Sequence, residues 1–215
     1  LRAKWLRTMV AELQRIASHL MGIGFFLQDL GTLGTPLMYG FRIREKILDL
    51  FEMLCGARIT LSYMRPGGVF SDTPPDFWPA LEHFMDELPS EFEEIEQLVL
   101  ENEIVLVRTK GVSPLPLDLA INCSVSGPIL RASGLAWDWR KEEPYDAYEW
   151  VDFDVPVGAN GDNYDRFWVR MQEMRQSERI IRQCMEHIEP GPVRLDMPLV
   201  VRPEAGAEAY GRVEA

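Results

Sequence analysis

The sequence has few cysteines, no paired cysteine motif and no cluster of basic residues. Its three cysteines, Cys55, Cys123 and Cys184, lie far apart and form no CxxC pair. The chain therefore offers neither a disulfide framework nor a thiolate metal site. Its formal net charge of −12 argues against binding to nucleic acid, because phosphate backbones require a basic surface.

A long uninterrupted apolar run is also missing. The most apolar stretch, residues 16–41, contains five glycines, one proline, His19, Gln28 and Asp29. A membrane-spanning helix needs about 20 consecutive, mainly apolar residues, so this stretch does not qualify. With 47% apolar and 26% charged residues, the composition is that of a folded protein that is soluble or peripheral to a membrane.

Apolar residues recur at helical spacing in four long segments. This periodicity predicts helices at about 2–28, 41–63, 76–100 and 162–187. Glycine and proline in "GTLGTP", "RPGGV" and "EPGPV" are expected to end three of them. The segment 104–160 is broken by proline and glycine and predicts an irregular, partly β insert. We expect a mainly α fold, a bundle of four long helices forming one helical core module over residues 1–215.

One carboxylate, Asp29, stands alone in the apolar stretch. It is the only residue between Ile16 and Phe41 with a full charge at neutral pH. Burying an unpaired carboxylate costs several kcal/mol, so Asp29 must contact water, have a partner or have a function. His19, on the same helix, is interpreted as a core histidine with one hydrogen bond, because the other two histidines lie on other helices.

Two further patterns have structural interpretations. From Asp76 to Glu103 there are ten acidic residues and no lysine or arginine, which favours a solvated helix face. The polar and aromatic stretch 126–148 contains no phosphate-binding loop and is more typical of an interface. From these patterns alone the chain is a helical module without an assigned reaction.

A resemblance to a known family adds what the spacing does not provide. The stretch "ELQRIASHLMGIGFFLQDLGTLGTPLMYGFRIREKILDLFEMLCGARITLSYMRPGGV" strongly resembles the 49 kDa-type subunit, also called the D-type subunit, of bacterial NADH:quinone oxidoreductase, respiratory complex I. The likeness continues through "ENEIVLVRTKGV", "SGPILRASGLAWDWRKEEPY", "FDVPVGANGDNYDR" and "RMQEMRQSERIIRQCMEHIEPGPV". It implies a fold related to the large subunit of nickel-iron hydrogenases, without the metal.

The resemblance also implies roles for individual residues. Asp29 matches the family's aspartate in "LxDLG", which lies by the quinone headgroup and pairs with a histidine from an N-terminal β-hairpin region. Phe25 and Gln28 are weaker candidates for lining the same cavity. The segment with Arg58, Thr60 and Arg65 is expected to face the terminal iron–sulfur cluster. Thr60 stands where many members carry a histidine thought to couple protonation to cluster reduction, which leaves that coupling open.

The implied enzyme couples quinone reduction to proton translocation. The resemblance implies that quinone is the substrate, that the B-type subunit of the complex carries the iron–sulfur cluster, and that this chain alone binds no cofactor or metal. The implied partners are the B-type and C-type subunits and the membrane subunit at the quinone channel. The chain itself is expected to be peripheral, on the cytoplasmic side of the bacterial membrane.

The segment with the quinone-ligating histidine and tyrosine is not found in the sequence. We therefore expect a piece of a longer protein, inactive alone. Two alternatives stay open. The first is the large subunit of a membrane-bound nickel-iron hydrogenase, against which the absence of CxxC pairs argues. The second is an inactive structural homologue, against which the presence of Asp29 argues.

Overall fold

The computed structural model describes residues 1–32, 34–100, 102–196, 198 and 202–214. The expectation of a mainly α fold is confirmed. Four long helices are present: α1 (Arg2–Asp29), α2 (Thr35–Cys55), α3 (Phe77–Val99) and α8 (Asn163–His187). Short helices α4 (Glu103–Thr109), α5 (Leu117–Asn122), α6 (Gly127–Ala132) and α7 (Trp139–Glu142), and a 3-10 helix (Tyr148–Trp150), lie between α3 and α8.

The apolar faces of the four long helices meet in one core. α1 packs against both α2 and α8, and α3 packs against α2 and α8. Leu13, Phe51, Phe92 and Met174, one from each long helix, are fully buried in this core. Each such side chain stabilises the fold by about 1.5–3 kcal/mol relative to exposure. In the part of the chain that the structure describes, no helix combines the length and apolar character needed to cross a membrane.

The predicted limits of the second helix, 41 and 63, are both wrong. This helix starts at Thr35, because Pro36 in the first turn needs no N–H partner there and its fixed φ suits a helix start. It ends at Cys55, because Gly56 adopts a left-handed conformation at φ 72° and donates its N–H to the carbonyl of Glu52 at 2.7 Å. Residues 57–63 are therefore not helical.

The expectation of β structure in the insert is also wrong for the residues described there. Short helices occupy the insert, and Asn102 caps the first of them by accepting hydrogen bonds from the N–H groups of Ile104 and Val105. The small sheet lies earlier in the chain. It consists of β1 (Met64–Arg65) and β2 (Gly68–Val69), paired antiparallel.

Candidate functional site

Asp29 is the last residue of α1 and is exposed to solvent. Within the described residues its carboxylate forms no hydrogen bond or ion pair. A negative charge at a helix C-terminus interacts unfavourably with the helix dipole, so local structure gains nothing from this carboxylate. The helix end is held by other groups. The Thr32 hydroxyl donates to the Leu27 carbonyl at 2.7 Å, and Arg108 donates to the Leu30 carbonyl at 3.0 Å.

Phe25 lies one turn before Gln28 and Asp29 on α1, so the three side chains share one face of the helix. All three are exposed, and Phe25 contacts Phe41 only edge-on, with ring centroids 6.4 Å apart. Phe25 keeps 49% of its surface exposed, and Met38 at the start of α2 keeps 67%. The face of α1 that carries Asp29 is therefore exposed to solvent.

A cavity lies elsewhere, between the N-terminal half of α1 and the segment 59–64. Its volume is about 1110 Å³, and residues 145–146 and 212–214 complete its lining. Thr60 lies on this cavity, and Ile59 beside it is 73% exposed. The cavity wall carries charges of both signs, because Arg7 and Arg15 lie there together with Asp146, which pairs with Arg7 at 2.8 Å.

Arg58 and Arg65 lie outside this cavity and have different surroundings. Arg58 forms ion pairs with Glu45 at 2.5 Å, with Glu52 at 3.2 Å and with Asp49, all on α2. The hydrogen bonds that Arg58 donates to these acids raise the pKa of its guanidinium. Arg65 donates to the Ser62 carbonyl at 3.0 Å and lies over the Phe70 ring, and none of the described carboxylates pairs with it. The three predicted cluster-facing residues therefore do not converge on one point.

Sequence reasoning missed a set of buried charged side chains that links α1, α6, α7, α8 and the last described residues. We call it the buried charge network. Its members are Glu12, Arg15, His19, Arg131, Asp138, Arg140, Glu173 and Glu214.

Glu12 is the centre of one half of the network. Its carboxylate accepts hydrogen bonds from Arg140 at 3.1 Å, Arg15 at 3.2 Å, the Tyr148 hydroxyl at 2.5 Å and the Ser177 hydroxyl at 2.5 Å. Burial alone would raise the pKa of Glu12. The charges of Arg15 and Arg140, with the two hydroxyl groups, outweigh burial and lower that pKa to about 2.

Glu173 is the centre of the other half. It accepts from Arg131 at 2.6 Å and contacts His19 Nε2 at 2.7 Å, and Arg131 also pairs with Glu214 at 3.0 Å. Burial raises the pKa of Glu173, but the His19 hydrogen bond and the Arg131 charge lower it to about 2. Burial lowers the pKa of His19. A neutral His19 thus donates to an ionised Glu173, and the interpretation of His19 as a core histidine with one hydrogen bond is confirmed.

The sequence did contain one signal for this network. Glu12 lies between Met9 and Leu13 on the apolar face of α1, and Glu173 directly precedes Met174 on that of α8. A carboxylate on an apolar face needs a buried cationic partner. Arg15 is a near partner of Glu12, three residues along α1. The other cationic partners lie far away in the sequence, 128 residues in the case of Glu12 and Arg140.

Comparison with known proteins identifies the family. The model of the family described as respiratory-chain NADH dehydrogenase, 49 Kd subunit, matches residues 29–215. The chain belongs to this family.

Three relatives within the 49 Kd subunit family are named as D-type subunits of NADH-quinone oxidoreductase. The protein of Dehalococcoides mccartyi strain BAV1 is 52% identical over 99% of this chain. That of Roseiflexus sp. strain RS-1 is 49% identical and that of Desulforamulus reducens 47% identical, each over 100% of this chain. The chain spans only 58–59% of the length of these relatives.

Proposed function

We propose that this chain is the helical part of the D-type subunit of an NADH:quinone oxidoreductase, respiratory complex I. In this proposal it forms one wall of the quinone-reduction site, in an enzyme coupled to proton translocation, and it has no activity alone. The fold is then that of the nickel-iron hydrogenase large subunit, built on the four long helices. Family membership and the names of the relatives support the proposal.

The observation that carries the site assignment is the state of Asp29. Its carboxylate is exposed, lies at the unfavourable end of α1, and forms no hydrogen bond or ion pair within the described part of the chain. Such a group has no stabilising role that the fold reveals. Its neighbours Phe25 and Gln28 are exposed on the same face of α1. Exposed side chains of this kind can form one wall of a cavity that binds an apolar ring.

In the proposed mechanism Asp29 acts on a histidine supplied by the rest of the subunit. A carboxylate within about 4–6 Å favours the protonated imidazole and raises its pKa. The histidine is then held in one orientation and can donate a proton to the reduced quinone. Asp29 is in this sense a positioning residue, because it acts through the histidine.

The segment with Arg58, Thr60 and Arg65 is proposed to face the iron–sulfur cluster of the neighbouring B-type subunit. Three acids already compensate the charge of Arg58, so this residue adds little positive potential outside the chain. Arg65 is exposed and has no acidic partner among the described residues, which makes it the better candidate to stabilise a reduced cluster. Thr60 lines the cavity between α1 and the segment 59–64 but does not titrate, so it cannot take up the proton that a histidine there would.

The remaining partners follow from the same assignment. The C-type subunit and the membrane subunit at the quinone channel are proposed neighbours. The chain is proposed to lie at the cytoplasmic side of the bacterial membrane as a peripheral subunit, with quinone as the substrate and no cofactor of its own.

The variant Asp29→Asn tests the proposal in the full-length subunit within its assembled complex. We expect quinone reductase activity to fall by about 10–100-fold, because the amide no longer favours the protonated histidine. We also expect its pH profile to shift to lower pH. The complex should assemble normally, since Asp29 supports no contact in the fold. Activity is measured in membranes with NADH and a soluble quinone.

Asp86→Asn, which neutralises an exposed acid on α3, is the matched control and should leave both activity and pH profile unchanged. Wild-type activity and pH profile in the Asp29→Asn complex would remove Asp29 from the quinone site.

A further inference from the structure

A second, smaller cavity lies between α1 and the first turns of α8. Its volume is about 220 Å³, and Ile23, Phe26 and Phe167 form its apolar walls. The polar side of its lining comes from Arg166 and Arg170, together with Asn163 at the start of α8. We call it the arginine pocket. Apolar walls weaken screening by water, so the two charges act strongly on whatever enters.

Several N–H donors of the two guanidinium groups form no hydrogen bond within the described residues. Arg170 donates one hydrogen bond, to the Arg166 carbonyl at 2.7 Å. Arg166 donates to the carbonyls of Ser113 and Gly161, each at 2.7 Å, and to the Asn163 side chain at 2.6 Å. Its Nε is buried and has no hydrogen-bond acceptor. All these contacts are to neutral oxygens, so neither guanidinium group forms an ion pair within the described residues.

The nearby carboxylates are already engaged. Asp162 accepts from the N–H groups of Gly111 and Asp165. The Asp165 carboxylate accepts from three successive N–H groups, those of residues 159–161. Glu173 attracts Arg170 electrostatically, but its two oxygens are bonded to other partners. Across the described ranges, no carboxylate forms an ion pair with Arg166 or Arg170.

This arrangement is unfavourable without an anion. Arg166 and Arg170 are one turn apart on the same helix, where like charges repel. Burial and the charge of Arg166 lower the pKa of the Arg170 guanidinium. Burying part of a cation without an ion-pair partner costs free energy, and a bound anion would offset this cost.

We propose that the arginine pocket binds a small molecule through an oxyanion group, a phosphate or a carboxylate, held by Arg166 and Arg170. Guanidinium groups match both oxyanions in geometry as well as in charge. The pocket is below the roughly 300–1,000 Å³ typical of sites for larger ligands, so it fits a small anion. The inference does not rest on the proposed quinone function.

The test uses the full-length subunit in its purified assembly and radiolabelled inorganic phosphate in equilibrium dialysis. The wild type should bind one more phosphate per subunit than the Arg170→Gln variant. Acetate should compete with phosphate for that site. In Arg170→Gln the affinity at this site should fall at least about tenfold, since charged hydrogen bonds are lost. Arg179→Gln, on the same helix but paired with Asp152 and Asp154, is the control and should bind like the wild type.

Equal phosphate binding by the wild type and Arg170→Gln, with no effect of acetate, would overturn the proposal. An acidic side chain of another polypeptide bound to both arginines in the assembly would also overturn it, because the pocket would then be an interface. If Arg170→Gln does not assemble, Arg170→Lys replaces it. Lysine keeps the charge but loses the planar fork, so weaker binding supports the proposal and unchanged binding contradicts it.

Discussion

Two carboxylates of the same helix show how far surroundings decide the role of one chemical group. Glu12 is fully buried and bound by two guanidinium groups and two hydroxyl groups, so its charge belongs to the fold. Asp29, about four and a half turns further along α1, is exposed and, in the described structure, unpaired. A change at Glu12 should therefore affect stability, whereas a change at Asp29 should affect function.

Glu12→Gln should lower the free energy of unfolding by about 3–5 kcal/mol. The amide keeps the size of the side chain but leaves Arg15 and Arg140 buried with one counter-charge fewer. Urea unfolding of the purified protein measures the effect. Glu94→Gln removes the same charge from an exposed ion pair with Arg42 and should cost only about 0–1 kcal/mol. A loss below about 1 kcal/mol in Glu12→Gln would show that the buried charge network does not stabilise the fold.

At the scale of elements, the sequence predicted what depends on local pattern. Long apolar periodicity indicated α1, α3 and α8, because a helix buries one face along its own sequence. The limits of α2 were mispredicted because Pro36 was interpreted as a helix breaker and the helix end was assigned to "RPGGV" rather than to Gly56. Pro36 instead lies in the first turn, and Gly56 alone ends the helix. Carboxylates on apolar helix faces were the one signal for the buried charge network, but its long-range pairs were not predictable, because they meet only after the helices have packed.

The close packing of α1 on α2 depends on a glycine. A Cβ at Gly24 would lie 2.7 Å from Leu37 Cδ1 and 3.0 Å from Leu37 Cα, whereas a Cβ at Gly22 would meet nothing within 4 Å. Gly24→Ala should therefore destabilise the protein by up to about 2 kcal/mol, since overpacking outweighs the gain in helix propensity.

Gly22→Ala is the matched control, two residues away in the same helix. It should stabilise the protein by about 0.5–1 kcal/mol, because only the propensity changes. Both values come from urea unfolding. Equal stabilisation by the two alanines would mean that α1 and α2 do not need this close contact.

At the scale of the whole molecule, the buried charge network joins distant parts of the chain. Arg15 on α1 donates to the Glu214 carbonyl at 3.2 Å, across 199 residues. The Glu214 side chain in turn accepts from Arg131 and from the N–H of Trp139. The helices and the last described residues are thus tied through ionised groups, which makes the stability of the whole fold sensitive to pH.

Acid should lower the free energy of unfolding in two stages. Burial lowers the pKa of His19 below its ordinary 6.5, so the unfolded chain binds this proton first and stability begins to fall below about pH 6.5. Glu12 and Glu173 have pKa values of about 2 in the fold and 4.5 ordinarily. Their contribution is complete above the ordinary value and is lost as the pH falls from 4.5 to 2.

Urea unfolding at a series of pH values measures this loss, which should reach about 1 kcal/mol per pH unit for each carboxylate. The double variant Glu12→Gln with Glu173→Gln should be less stable at pH 7 but show a flatter curve below about pH 4.5. Ser177→Ala removes a hydrogen bond from Glu12 without changing its charge, so it should keep most of the wild-type slope. A double variant whose curve runs parallel to that of the wild type would place the acid sensitivity outside the buried charge network.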